Sequence, residues 1–263
     1  MIILKNADYK LFISVIILAL FGCFMIYSSS NIWAEFKFNN PYKYFINQFV
    51  FYMIGVIGMY VTSKIDYNLY KKKSNLIILI CFILLVLVLI PGIGVVRNGS
   101  RSWFGLGGFG LQPSEAAKIG LVIFVSKYLS NNYNIMYDIK KGVFPIISVI
   151  GVFFLLIMLE PDFGTAMVIT MCLVAMIFIS KVKLSFFVKI GVCGLVGIVG
   201  LIIIAPYRMA RIVSFINPWT DPLGSGFQII QSLYAIGPGG LFGMGIGKSI
   251  QKHFYLPEPQ TDF

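Results

Sequence analysis

Seven runs of apolar residues constrain this chain more than any other feature: about 11–29, 46–63, 76–96, 115–130, 143–160, 163–180 and 184–205. Each is near the ~20 residues that a helix needs to cross the hydrocarbon core of a bilayer, twice what a barrel strand needs. Within a bilayer every backbone N–H and C=O must be satisfied inside the protein, which leaves the helix as the solution for runs of this length. Composition agrees, with 58% hydrophobic and 12% charged residues, where soluble domains carry about 45–50% and about 25%. A chain with so little polar surface is not a cytosolic enzyme, a disordered regulator or a disulfide-stapled secreted domain. The expected fold is all-α and integral to the plasma membrane: a multi-pass, seven-span bundle over 1–205, followed by a large outer loop over 206–263. The first run follows Lys5 and Lys10 and ends in Ser28-Ser29-Ser30, in the pattern of a signal peptide. Six further spans favour an uncleaved first helix.

The net charge of +11 would suggest nucleic acid in a soluble protein. Here much of the excess is lysine in short loops between spans, which sets orientation and speaks against nucleic acid as a partner. With the N-terminus in the cytoplasm, Lys64, Lys71, Lys72, Lys73, Lys127, Lys140, Lys141, Lys181 and Lys183 all fall on the cytoplasmic side, and the C-terminal loop falls outside. That orientation places all four arginines, Arg97, Arg101, Arg208 and Arg211, on the outer side. Lysine suffices for topology, whereas the planar guanidinium grips phosphate or carboxylate in two places. Two readings stand: a built anion site, or anchoring to lipid headgroups. The four cysteines, Cys23, Cys81, Cys172 and Cys193, lie inside apolar runs without metal-ligand spacing and read as small buried residues.

Charge within a span is costly and marks a pair or a polar cavity. Glu115 and Lys118 open the fourth span behind Gln112-Pro113-Ser114, three residues apart on one helix face. They either shape a polar cavity or form a structural ion pair. Glu160-Pro161-Asp162-Phe163-Gly164-Thr165 sits at the hairpin between the fifth and sixth spans, as a solvated turn or a site. In the last loop Asp221 lies in Asn217-Pro218-Trp219-Thr220-Asp221-Pro222-Leu223-Gly224-Ser225-Gly226. It is either a turn starter or a catalytic carboxylate. An amphipathic stretch follows from Phe227 to Ile236, with Gln228 and Gln231 at i and i+3, as a short helix at the membrane surface would have. His253 has no local partner, and the glycines from Gly237 to Gly247 match no phosphate loop and suggest close backbone packing.

Five blocks in order resemble the SEDS family (shape, elongation, division and sporulation), which includes RodA, FtsW and SpoVE. They are residues 97–103, 112–118 and 161–165, then 217–228 and 256–263. The last two, with Ile93-Gly94-Val95-Val96-Arg97, are most similar to the SpoVE/FtsW branch. Two departures are mild: Glu160 stands where the family usually has Gln, and Ala116 where it usually has Phe. The resemblance implies ten spanning helices, so a chain ending at Phe263 looks like the first seven spans and the outer loop of a longer protein. It also implies glycan polymerisation at the outer membrane face, using lipid II, a disaccharide-peptide on undecaprenyl pyrophosphate. A class B penicillin-binding transpeptidase is the implied partner, and cell division or sporulation the process.

Carried over residue by residue, Asp221 is the catalytic position, and Glu115 and Lys118 match a functionally sensitive pair. Arg97, Arg101, Asp162, Arg208, Arg211 and Gln228 complete the expected substrate-binding set. The chemistry is coherent. Pyrophosphate leaves readily and needs cationic stabilisation, while the attacking sugar hydroxyl needs a base. One carboxylate with arginines then suffices, unlike the carboxylate pair of a glycosidase. A divalent cation bridging the pyrophosphate is compatible with this chemistry, although the sequence offers no dedicated metal cage. Two other functions fit the same features: a flippase of lipid-linked precursors, or a non-catalytic membrane scaffold for a transpeptidase.

Overall fold

A helix lies on each of the seven apolar runs, although the third helix ends at Leu89 rather than at 96. Three of the helices start at aspartates whose side chains satisfy free N–H groups of the first turn. The computed structural model describes residues 8–97, 100–106, 109–204, 207–240, 243–245, 247–253 and 255–256. Asp8 caps α1 (Tyr9–Phe38), accepting from the N–H groups of Lys10 and Leu11, and Asn39 closes it in the left-handed conformation that Asn tolerates. After α2 (Lys43–Ser63), Asp66 caps α3 (Tyr67–Leu89). Pro113 begins α4 (Pro113–Asn132), where its missing N–H costs nothing. A π-turn at Ile139–Val143, capped by Asp138, leads into α5 (Phe144–Leu159). Asp162 caps α6 (Phe163–Phe178), and α7 (Leu184–Ile204) follows. In the last loop lie α8 (Tyr207–Ile216) and α9 (Phe227–Ile236), the latter on the amphipathic stretch read from the sequence.

Among the described residues, four segments are long and apolar enough to cross a membrane: α1, α2, α3 and Ile139–Leu159, the π-turn together with α5. Helix α4 carries Glu115, Lys118 and Lys127, and α6 is shorter. The fifth span ends at Leu159, so Glu160 lies beyond it in the hairpin rather than inside it.

The chain divides into two compact units, Met1–Ile65 with Val196–Phe263, and Asp66–Leu195. In the second, Leu85, Leu121, Val125, Ile146, Phe153, Ile157, Leu173 and Ile177 form one buried core. Gly120 sets how closely α3 and α4 pack: a Cβ there would lie 2.8 Å from Cys81 Sγ. Small residues at such crossings let helices approach in lipid, where no hydrophobic drive brings them together. Helix α6 buries Ala166, Ile169, Leu173 and Ile177, one face at helical spacing. Cys172 lies off that face and is exposed, as is Cys193, so only Cys23 and Cys81 follow the expectation of burial.

The all-α expectation needs one amendment. The glycine-rich stretch after α3 folds as an antiparallel sheet, β1 (Gly94–Arg97), β2 (Ser100–Leu106) and β3 (Phe109–Leu111), in the order β1-β2-β3. Val95 pairs with Trp103 and Phe104 with Leu111. Short apolar and aromatic residues spaced by glycines suit a hairpin meander better than a loose loop. At the opposite end of this unit, Lys127 Nζ donates to Asn75 Oδ1 at 3.0 Å and Lys181 sits 4.6 Å from the centre of the Tyr133 ring. The lysine-bearing ends of α3, α4 and α6 are therefore gathered at one end, and the sheet is at the other.

Candidate active site

In the second unit the sheet clamps the α5–α6 hairpin. Ser100 Oγ donates to the carbonyl oxygen of Glu160 and sits against Ser102 Oγ. Gln112 Nε2 donates to Asp162 Oδ2 at 3.0 Å, while Asp162 Oδ1 accepts from the Thr165 N–H at 3.2 Å. Asp162, expected to bind substrate, is thus engaged in capping α6 and in tying the hairpin to the start of α4. Arg101 Nη1 reaches the carbonyl oxygen of Leu89 at 3.5 Å, and its Nε is buried with no hydrogen-bond partner among the described residues.

Glu160 is fully buried, and neither carboxyl oxygen has a hydrogen-bond partner among the described residues. Burial first, and the neighbouring charge of Asp162 second, push its carboxyl up from 4.5 to about 8. The group is neutral at pH 7, an acid kept protonated by its surroundings. The departure from Gln noted in the sequence is the signal that points to it.

Glu115 and Lys118 do pair, at 2.7 Å. The pair is more open than a buried charge pair within a span would be: the Glu115 side chain is 57% exposed and that of Lys118 37%. Spacing fixed the contact, while its exposure depends on where the sheet and α6 leave α4 uncovered.

In the first unit Asp221 sits at the end of a tight turn. Asn217 Oδ1 accepts from the Trp219 N–H, a 3₁₀ turn covers Pro218–Thr220, and the chain then folds back on the Asp221 carboxylate. Gly224 N–H donates to Oδ1 at 3.1 Å, and the Ser225 N–H and Oγ donate to Oδ2 at 2.8 and 3.1 Å. Ser225 Oγ in turn lies 2.5 Å from Ser214 Oγ on α8. The seat needs its glycines. A Cβ on Gly224 would stand 2.3 Å from Asp221 Oδ2, and one on Gly226 would stand 2.0 Å from the carbonyl oxygen of Pro218. The Ser225 N–H, then its hydroxyl, with a smaller contribution from the Gly224 N–H, hold the Asp221 carboxyl below its ordinary value. It faces solvent as a ready anion and a weak base.

Gln228 lies half-buried in the first turn of α9, and the Trp219 and Tyr234 rings meet edge-on at 6.0 Å. Arg208 and Arg211 fall on α8 and Arg97 ends β1, but their side chains lie outside the described residues. His253 is exposed. The glycine-rich stretch packs against α1: Gly247 N–H donates to Ser28 Oγ at 2.8 Å, and Lys252 Nζ donates to the Gly247 carbonyl and, at 3.5 Å, to Asn31 Oδ1. A cavity of about 720 Å³ opens beside this contact, lined by Phe21, Met25, Ser28, Ser232, Met244 and Lys252 among others. Sequence reasoning missed Lys252. The polar run Ser28 to Asn31 in an otherwise apolar helix is the signal that marks its partner.

Among the described residues no three His, Cys, Asp or Glu side chains gather as a metal cage. Asp221 offers a single carboxylate that already accepts from three donors, so the described residues do not by themselves make a site for a divalent ion.

Residues 9–263 match the model of the cell cycle protein family FtsW/RodA/SpoVE. The chain belongs to this family. It is 50% identical to stage V sporulation protein E of Bacillus subtilis over 98% of its own length and 70% of that protein's. It is 38% identical to a probable peptidoglycan glycosyltransferase FtsW of a Geobacter species, over 98% of this chain and 71% of the relative. Its fold matches a chain from a study of polymerisation and crosslinking by a peptidoglycan synthase complex, with a TM-score of 0.61 and 26% identity. That match covers 85% of this chain and 65% of the other. The crystal structure of the rod shape determining protein RodA of Thermus thermophilus shares the fold at a TM-score of 0.53 and 20% identity, over 88% and 87% of the two chains. This FtsW/RodA/SpoVE member is therefore a mostly helical, multi-pass plasma-membrane protein.

Proposed function

We propose that this chain polymerises lipid II into peptidoglycan glycan strands at the outer membrane face, alongside a class B transpeptidase, in sporulation or division. Relatives named as probable peptidoglycan glycosyltransferases and as a sporulation protein, matched over nearly the whole chain, support that reading. So does the fold shared with a component of a peptidoglycan synthase complex. In this reading the seven apolar helices are spans of a ten-helix architecture, with the N-terminus in the cytoplasm and residues 206–263 outside. The seating of Asp221 carries the argument: a solvent-facing carboxylate held ionised by three donors, in the block that the resemblance marks as catalytic.

Asp221 takes the proton from the acceptor sugar's hydroxyl, whose oxygen then attacks the anomeric carbon of the donor. The bond to pyrophosphate breaks, and Arg208 and Arg211, in the same unit as Asp221, meet the leaving charge. Hydrogen bonding keeps Asp221 weakly basic in the open protein. Substrate that excludes water from the turn raises its proton affinity when the hydroxyl arrives. Gln228, in the same unit, joins Arg208 and Arg211 in binding substrate, and the family resemblance adds Arg97, Arg101, Glu115, Lys118 and Asp162 of the other unit to the expected set.

Detergent micelles separate this function from its rivals, because a micelle has no second compartment to flip a lipid into. Purified protein with its transpeptidase and labelled lipid II should yield long glycan strands. Absence of strands, with lipid II transport by the same protein in vesicles, would favour a flippase. Absence of both, with transpeptidase binding intact, would leave a scaffold.

A further inference from the structure

At the end of the second unit away from the sheet, α3 and α4 form a recess of about 590 Å³ lined by Asp66, Asn68, Lys71, Lys72 and Lys127. Lys127 reaches across from α4 and is fixed by its 3.0 Å bond to Asn75 Oδ1, so one ammonium is held in place before any ligand arrives. Lys71 and Lys72 rise from the second turn of α3 and are exposed. The ion pair found among the described residues is Glu115–Lys118, so none of the three recess lysines is neutralised there. The one carboxylate lining it, Asp66, is exposed and caps α3, with Oδ1 accepting from the Asn68 N–H and Nδ2 at 2.9 and 3.0 Å, so one negative charge stands against three lysines. The recess therefore holds unneutralised positive charge.

Along α3 from the recess, Leu69, Leu76, Leu79 and Ile80 are each about half exposed. A ligand here meets cations at one end and an apolar helix face at the other. We propose that this recess binds the phosphate headgroup of an anionic phospholipid, whose acyl chains lie along the exposed face of α3. Basic pockets between membrane helices suit such headgroups, since each lysine near an anionic lipid surface adds several-fold in affinity. Apolar residues beside the recess distinguish a lipid from a free phosphate. With the lysine-rich end in the cytoplasm, the lipid belongs to the inner leaflet. The site is independent of the glycosyltransferase reading.

The test is native mass spectrometry of the full chain, released from detergent with phosphatidylglycerol or phosphatidylcholine. The wild-type protein should retain phosphatidylglycerol at least about tenfold more than phosphatidylcholine. Lys71→Gln/Lys72→Gln/Lys127→Gln should erase that preference, and Lys140→Gln/Lys141→Gln/Lys183→Gln, at the same end but outside the recess, should keep it. Lys71→Gln/Lys72→Gln alone, which preserves the Lys127–Asn75 bond, should show an intermediate preference and decides the question if the triple variant does not fold. Undiminished phosphatidylglycerol retention by the recess variants overturns the proposal. So does complete displacement of the lipid by millimolar inorganic phosphate, which would make the recess a free-anion site.

Discussion

Replacing Glu160 with Gln should abolish a pH dependence of stability that the wild-type protein shows between mild acid and mild alkali. The carboxyl titrates at 4.5 in its ordinary state and at about 8 in the folded chain, chiefly because it is buried and secondarily because Asp162 is near. Between those values the folded protein holds a proton that the unfolded chain has released. Stability is therefore greatest below pH 4.5, falls as pH rises through the window, and levels off above about 8. At about 1.4 kcal/mol per pH unit the whole window amounts to roughly 4–5 kcal/mol. Gln keeps the shape and cannot ionise, and it is the residue that the family resemblance leads one to expect there. The assay is thermal unfolding of purified protein in detergent from pH 4.5 to 9. The two proteins should melt together at the acid end. At pH 9 the variant should melt higher by on the order of 10 °C, at the few degrees per kcal/mol typical of chains this size. Parallel curves, or a variant less stable throughout, would mean that Glu160 is ionised and paired, and the reasoning from its buried, unpartnered oxygens would fail.

Three further outcomes follow from particular contacts. Gly224→Ala places a Cβ 2.3 Å from Asp221 Oδ2, so glycan synthesis should fall at least about tenfold with helix content by circular dichroism unchanged; full activity would show that the turn does not set the carboxylate. Glu115→Ala breaks a pair that is largely open to solvent, so its stability cost should stay within about 1 kcal/mol in thermal melts, and a larger loss would mean the pair is buried. Gly120→Val drives a side chain into Cys81 Sγ, 2.8 Å from where the first carbon must go; it should destabilise the α3–α4 contact by about 1–3 kcal/mol, with Cys81→Ala restoring part of the melting temperature. Equal melting of Gly120→Val and wild type would show that the helices are not that close.

The helices were legible because apolar runs of bilayer length leave the backbone little alternative, and Pro113 with Ser114 marks a helix start from type and position alone. The sequence presents Asp162 as a turn or site residue, and its capping of α6 emerges only in the structure. The small sheet was not. Glycines in 92–111 masked a short alternation that becomes a strand pattern only once Ser100 meets the carbonyl of Glu160, 60 residues away. The Glu115–Lys118 contact followed from helix geometry, whereas its exposure depends on neighbouring elements. Asp221 could be singled out by its setting among turn residues, yet its three hydrogen bonds depend on Gly224 and Ser225 folding back, which no periodicity reveals. Burial of Glu160 is likewise a tertiary fact: in sequence it is an acid beside a proline at a hairpin.

The central claim is that Asp221 accepts the proton of the attacking hydroxyl. Asp221→Asn preserves size, and its one amide oxygen can keep both Ser225 bonds while its NH2 forfeits the exposed bond from the Gly224 N–H, but it cannot take that proton at working pH. Glycan synthesis by the purified full-length variant with its transpeptidase should fall on the order of 10²-fold or more, with thermal stability and transpeptidase binding unchanged. Strand synthesis near the wild-type rate would contradict the account and remove Asp221 from the chemistry.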